Sequence, residues 1–469
     1  MKKRLLLALS AMFAVVVTAL AQPKYVFYFI GDGMGTSQVL LTEMYRAAEK
    51  GELGLEPLLM SGFPVASFAS HYSASSDVTD SAASATALSS GVKTTNYYVG
   101  LDPDGNPVTT MAEMAKRSGR KVAIMTTVAL NHATPAGFSA HQLQRNMYYK
   151  IAKDQIAEGF DFYAGSTIYD TEKLEDGTPV PDIMPQFAEA GYTLFGNVED
   201  FKAGYKDAQK VLMIPEEGKS VSFRLDTYAH PQDHLYLKDM VESAITFLMK
   251  DGGKKGFFMM AEGGKIDGAC HSHDAASSVH ETIDFDEAIA VAFDFYKKHP
   301  KQTLIVITAD HETGGMICQP KNARQLAALG LQKASIGTIS SNFKKILAAH
   351  NAKDEVMSWE EVKDFLKENF GLWGELNVDW DEEKELRDCY YDTVAKRKAG
   401  SAKDLYSDNA KIVSVAMKIF NRKCGINWVS SHSSSFVPVF AAGVGAEKFT
   451  HRTDNAEIAK TIISIAQYK

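Results

Sequence analysis

The feature that most constrains the fold is a repeated junction, in which a short, continuously apolar run of strand length ends in polar residues able to hold a metal. Tyr25-Val26-Phe27-Tyr28-Phe29-Ile30 runs into Gly31-Asp32-Gly33-Met34-Gly35, and Lys121 to Leu130 runs into Asn131-His132-Ala133-Thr134-Pro135. Phe257 to Ala261 leads into Glu262-Gly263-Gly264, and Leu304 to Ala309 into Asp310-His311-Glu312-Thr313. Runs that are apolar at every position belong to strands buried on both faces, as in a parallel sheet. Helical patterns lie between them, such as Met111 to Ser118 and Ile283 to Lys298. Strand alternating with helix predicts an α/β fold, a doubly wound and mostly parallel central sheet with helices on both faces. Ligands of such sheets bind beyond the carboxyl ends of the strands, which is where these polar residues fall.

The chain has 469 residues, 45% of them hydrophobic and 23% charged, enough for a sizeable core. From 318 to 427 the alternation gives way to a mostly helical insertion before the last strand. There Ser358-Trp359-Glu360-Glu361 reads as a capping box, with Gly371 as the stop, and Trp359, Trp373 and Trp380 read as core. A net charge of −8 excludes a basic nucleic-acid footprint. Lys2, Lys3 and Arg4 precede an apolar run to Leu20, so residues 1–21 are expected to be a cleaved secretory signal. Cleavage would remove three positive charges and no acids, taking the charge from −8 to −11. No further stretch is long and apolar enough to span a bilayer, and no cysteine near the cleavage point offers a lipid site. A periplasmic or secreted protein without a stable membrane anchor is therefore expected. Cys270, Cys318, Cys389 and Cys424 are too few to frame the fold, and their spacing leaves any pairing open.

Taken singly, each polar cluster is weak. Together, Asp32, Glu262, Asp267, His271, Asp310 and His311 all fall on one rim, which implies more than one metal. Imidazole with carboxylate suits zinc, and His432, ahead of the apolar strand Phe436 to Ala442, could complete such a site. The oxygen set Asp32, Thr134 and Glu262 suits magnesium. Ser81 lies in the first turn of a helix of small residues, Thr79-Asp80-Ser81-Ala82-Ala83-Ser84-Ala85-Thr86-Ala87, where backbone N–H groups favour phosphate. A serine oxygen beside two metals points to phosphoryl transfer.

These motifs, in this order over nearly all of the chain, resemble the alkaline phosphatases. The resemblance implies one catalytic domain over 22–469 that hydrolyses phosphate monoesters through a phosphoserine on Ser81, using two zinc ions and one magnesium. It implies one zinc on Asp267, His271 and His432, the other on Asp32, Asp310 and His311, and magnesium on Asp32, Thr134 and Glu262. Arg145 matches the family's phosphate-clamping arginine, and Asp80 the carboxylate that orients it. His132 is implied to stand behind the magnesium ligands, as in the animal enzymes, whereas the enterobacterial type has aspartate there. Gly268 departs from the lysine, histidine or tryptophan usual after the zinc aspartate. His273, His280 and Glu312 match no ligand position and read as supporting or surface residues, Cys270 as buried packing, and His141 as packing or orienting a neighbour. Small phosphate monoesters are the implied partners, and the resemblance leaves a homodimer open. A same-fold phosphodiesterase and a non-catalytic metal-binding exported module are the alternatives. Arg145 counts against the first, and the intact ligand and nucleophile set against the second.

Overall fold

The computed structural model describes residues 22–216, 221–395 and 410–469; the expected leader, 1–21, lies outside them. In chain order the strands are β1 (Tyr25–Ile30), β2 (Val65–Ser70), β3 (Lys121–Thr126), β4 (Phe162–Ala164), β5 (Tyr192–Phe195), β6 (Lys210–Met213), β7 (Phe257–Glu262) and β8 (Thr303–Thr308). They continue as β9 (Glu312–Thr313), β10 (Ile317–Cys318), β11 (Ile426–Asn427), β12 (His432–Ser433), β13 (Val437–Gly443) and β14 (Thr453–Asp454). Ten of them form one sheet in the order β14-β2-β13-β8-β1-β7-β3-β4-β6-β5. Only β13 runs against its neighbours, so the sheet is mostly parallel, as the sequence predicts.

The four apolar runs occupy the adjacent central places β8-β1-β7-β3. Every residue of β1, β7 and β8 is buried, which explains why these runs do not alternate. Their ends are level: Ile30 pairs with Glu262 and Thr308, and Glu262 pairs with Thr126. Whatever follows these four residues therefore emerges along one short edge.

Helices cover the sheet. In Leu237–Leu248, Leu237, Met240, Val241, Ala244, Phe247 and Leu248 make the buried stripe, at the spacing of a helix with one apolar face. The 24-residue helix Ala275–Lys298 buries Phe285, Ala288, Ile289, Ala292 and Phe295. Helices Ile336–Ala352, Trp359–Phe370, Trp380–Thr393 and Lys411–Cys424 contribute to a second apolar cluster that includes Phe343, Val362, Leu366, Leu386 and Phe420. The antiparallel pair β10–β11 stands at the two ends of that stretch. The helix at 359 carries the predicted capping box from Ser358 and Glu361 and ends at Gly371, φ +70°. Trp359 is buried as expected, but Trp380 is 74% exposed. It opens its helix off the buried stripe of Leu386, Cys389 and Tyr390. Among the described residues none of the four cysteines forms a disulfide, and no helix is long and apolar enough to cross a membrane.

Candidate active site

Ser81 is the first residue of helix Ser81–Ser90 and is only 2% exposed. Asp80 caps this helix, its Oδ1 accepting from the Ala83 amide at 3.1 Å. Alanine and serine side chains let the whole helix to Ser89 be buried, and Ser84 Oγ donates to the Asp310 carbonyl at 2.7 Å. That bond ties the Ser81 helix to the end of β8. Ser81 Oγ consequently lies 3.1 Å from His311 Nε2 and 3.5 Å from Arg145 Nη1. Arg145 Nη1 also donates to Asp80 Oδ2 at 3.1 Å, and its Nη2 lies 3.4 Å from His132 Nε2.

Three groups of donor atoms surround this serine. Asp267 and His271 sit four apart on helix Lys265–His271, with Asp267 Oδ1 3.4 Å from His271 Nε2. The β12–β9 pairing brings in His432, whose Nε2 is 3.1 Å from His271 Nε2 and 3.9 Å from Asp267 Oδ1. In the second group His311 Nε2 lies 3.5 Å from Asp32 Oδ1 and 3.3 Å from Asp310 Oδ2. The third joins Asp32 and Glu262, and it includes a nitrogen of His132, all within 4.8 Å of one another. The His132 imidazole thus stands beside the magnesium-type carboxylates.

Burial makes these groups expensive without a cation. Both oxygens of Asp32 and of Glu262, Asp310 Oδ2 and the Thr134 hydroxyl are buried and have no hydrogen-bond partner. Burial, with the charges of Asp310, Asp267 and Glu262, pushes the Asp32 carboxyl well above the usual carboxylate range. Burial also raises Glu262 to about 7 and raises Asp310. It holds His311 far below the ordinary imidazole value, with the charge of His432 adding, and takes His132 down to about 3, with Arg145 adding. Repelling carboxylates beside neutral imidazoles, with unused lone pairs, are what divalent cations satisfy. The first two groups, rich in imidazole, suit zinc, and the oxygens of Asp32, Thr134 and Glu262 in the third suit magnesium.

The glycines after β1 have a steric cause. Gly33 has φ +73°, and a Cβ there would come within 2.9 Å of the Asp267 Cα and 3.0 Å of its Oδ1. The contacts of three residues, Thr313, Tyr97 and Glu312, are not visible in the motifs. Thr313 Oγ1 donates to Asp267 Oδ1 at 2.6 Å and lies 3.1 Å from His311 Nδ1. The Tyr97 amide, at φ +74°, donates to Asp80 Oδ1 at 3.0 Å. Glu312 is buried rather than superficial, accepting from Gln38 at 3.0 Å and from the Ser433 hydroxyl next to His432. His141 Nδ1 lies 2.7 Å from the Gly100 carbonyl, His273 stacks on Trp428, His280 meets the Tyr228 hydroxyl, and Cys270 is buried beside Ser278.

The alkaline phosphatase family profile matches residues 23–468. The chain belongs to the alkaline phosphatase family. Alkaline phosphatase 3 of Bacillus subtilis is 31% identical over 95% of this chain and 89% of its own length. Alkaline phosphatase 4 of the same bacterium is 30% identical over the same shares. Among solved structures, the cold-active alkaline phosphatase of a psychrophilic Shewanella is 25% identical, with a TM-score of 0.74 over 94% of this chain and 99% of its own. A histidine-to-aspartate mutant of TAB5 alkaline phosphatase, with Mg bound in its M3 site, is also 25% identical, with a TM-score of 0.66 over 96% of this chain and 99% of its own. As an alkaline phosphatase, this chain is a metal-dependent phosphomonoester hydrolase.

Proposed function

We propose that this alkaline phosphatase hydrolyses phosphate monoesters by two in-line displacements at phosphorus, with Ser81 as the nucleophile. The observation that carries this is the buried Ser81 hydroxyl, at a helix start, between His311 and Arg145 and amid unpartnered carboxylates. In the first step Ser81 Oγ loses its proton and bonds to phosphorus as the ester oxygen departs and is protonated to the alcohol. In the second, water takes the place of the alcohol, the Oγ–P bond breaks, and the serine hydroxyl is restored. Two zinc ions, on Asp267, His271 and His432 and on Asp32, Asp310 and His311, and one magnesium on Asp32, Thr134 and Glu262, would supply Lewis acidity to serine, leaving oxygen and water.

The chain's own groups do the positioning. Amides of the first turn of helix Ser81–Ser90 and its dipole favour the phosphoryl charge. Arg145 can grip two phosphoryl oxygens at once, and its bond to Asp80 holds the fork in place. A monoester has three free oxygens and a diester two, so that double grip together with metal contact to a third oxygen would favour monoesters over diesters. The Mg-bound TAB5 mutant supports magnesium in the third site. The charge pattern of residues 1–21 supports export to the periplasm or medium.

The test is p-nitrophenyl phosphate hydrolysis from about pH 6 to 11, with wild type and Ser81→Ala each chelated and then resupplied with zinc and magnesium. Wild type should lose activity on chelation and recover it, and acid quench with labelled substrate should trap phosphoserine only when Ser81 is present. An inactive metal-replete wild type, an active Ser81→Ala, or faster hydrolysis of matched diesters would overturn the reading.

A further inference from the structure

Helix Lys265–His271 presents two neighbouring faces. Asp267 and His271 share one; Lys265 and Gly268, three apart, share the next, about 100° round the helix. Gly268 leaves its end of that second face without a side chain. Among the described residues outside its own helix, a Cβ at Gly268 would meet only the Phe223 ring within contact range, at 3.6 Å. Lys265 Nζ lies 5.0 Å from the centroid of the same ring.

Phe223 is half-buried. The next residue is pinned twice: the Arg224 amide donates to Glu281 at 2.6 Å, and its guanidinium donates to Asp284 at 3.1 Å and to Glu287 at 2.9 and 2.7 Å. The neighbouring face is open to solvent, since the His271 side chain is 41% exposed. In-line attack by Ser81 sends the leaving oxygen away from the serine, toward Asp267, His271 and His432. Gly268 follows Asp267 directly and lies on the adjoining face of that helix, with the Phe223 ring over it.

We propose that Phe223 determines specificity, its ring and the gap above Gly268 forming a subsite for flat aromatic leaving groups, so that the enzyme favours aryl and arylmethyl phosphate monoesters. The proposal rests on the Ser81 reading, which fixes the departure side. The aromatic group stacks on or meets the edge of Phe223, while the phosphoryl group keeps its contacts with Ser81 and Arg145.

The test compares benzyl phosphate with n-butyl phosphate, whose alcohols are of similar acidity, in metal-replete wild type, Phe223→Leu and Phe223→Tyr. Phe223→Leu keeps apolar bulk and removes the ring. It should raise KM for benzyl phosphate about 3- to 10-fold, the range of an aromatic pair contact. KM for butyl phosphate and inhibition by inorganic phosphate should change less than about twofold, and Phe223→Tyr should restore the benzyl preference. Equal losses on both esters, or no loss on either, would overturn the subsite and leave the Ser81 reading intact. Wild type inert toward both esters would overturn the Ser81 reading and the subsite with it.

Discussion

Asp80→Asn separates two tasks that the structure assigns to one carboxylate. Oδ1 accepts from the Ala83 and Tyr97 amides at 3.1 and 3.0 Å, and Oδ2 accepts from Arg145 at 3.1 Å. The Asp80 side chain is 8% exposed and that of Arg145 22%. Asn caps helices as well as Asp does, so Asp80→Asn retains the Oδ1 bonds and loses only the charge that holds Arg145. Asp80→Ala loses the cap, about 1 kcal/mol, and strands a mostly buried guanidinium. Breaking a fully buried pair costs roughly 3–5 kcal/mol, and solvent at Arg145 reduces that to about 2, for about 3 kcal/mol in all. A hydrogen bond to a charged group is worth about 1.5–3 kcal/mol. If its loss appears in phosphoryl binding, kcat/KM falls about 10- to 100-fold in Asp80→Asn. The assays are p-nitrophenyl phosphate kinetics, inhibition by inorganic phosphate, and denaturant midpoints. Asp80→Asn, which strands the guanidinium but keeps the cap, should lose about 2 kcal/mol against about 3 for Asp80→Ala, while phosphate inhibition weakens at least tenfold. Asp80→Ala/Arg145→Ala should be more stable than Asp80→Ala alone, because the second change removes the stranded charge. Wild-type phosphate inhibition in Asp80→Asn, or Asp80→Asn as unstable as Asp80→Ala, would refute the reasoning.

Further predictions concern the metal side. Burial raises Glu262 from 4.5 to about 7, so its contribution to metal-free stability is fully present below about 4.5 and lost as pH rises through about 7. Chelated Glu262→Gln should therefore unfold at higher denaturant than chelated wild type at pH 8, by an amount on the order of 3 kcal/mol at most. Equal midpoints at pH 8 would contradict the burial argument, as would a magnesium stabilisation of the variant equal to that of wild type. His132→Asp puts a carboxylate beside Asp32 and Glu262, and half-saturating magnesium in activity assays should fall by about tenfold. Unchanged or weaker magnesium activation would refute that. Gly33→Ala combines φ +73° with a Cβ 2.9 Å from the Asp267 backbone, so zinc affinity and activity should fall together in a zinc titration. Zinc binding at the wild-type level would show that the loop can yield.

The sequence reveals the parts of this enzyme whose physics is local and hides those that depend on register. β1, β3, β7 and β8 were legible because nearly every position is buried, and their polar ends because an active-site rim needs carboxylates and imidazoles. β5, only four residues with a buried–exposed–exposed–buried pattern, carries no period and exists because β6 lies beside it. The reversed direction of β13 likewise has no local signal, since it follows from pairing with β8 and β2. The site divides in the same way. His432 was legible as a residue type, but the β12–β9 pairing opposite Thr313 is what carries it to Asp267. The Thr313 and Tyr97 contacts use a hydroxyl and an amide, groups common throughout any chain, so no motif marks them. His132 was legible as a departure from one family pattern, yet only the level ends of β3, β7 and β1 show its ring reaching Asp32 and Glu262. Gly268 is the converse case. The missing side chain was visible from the start, but its consequence depends on Phe223, 45 residues earlier, being brought against that helix face. Residue type sets what chemistry is available at each strand end, and strand register decides which of those ends act together.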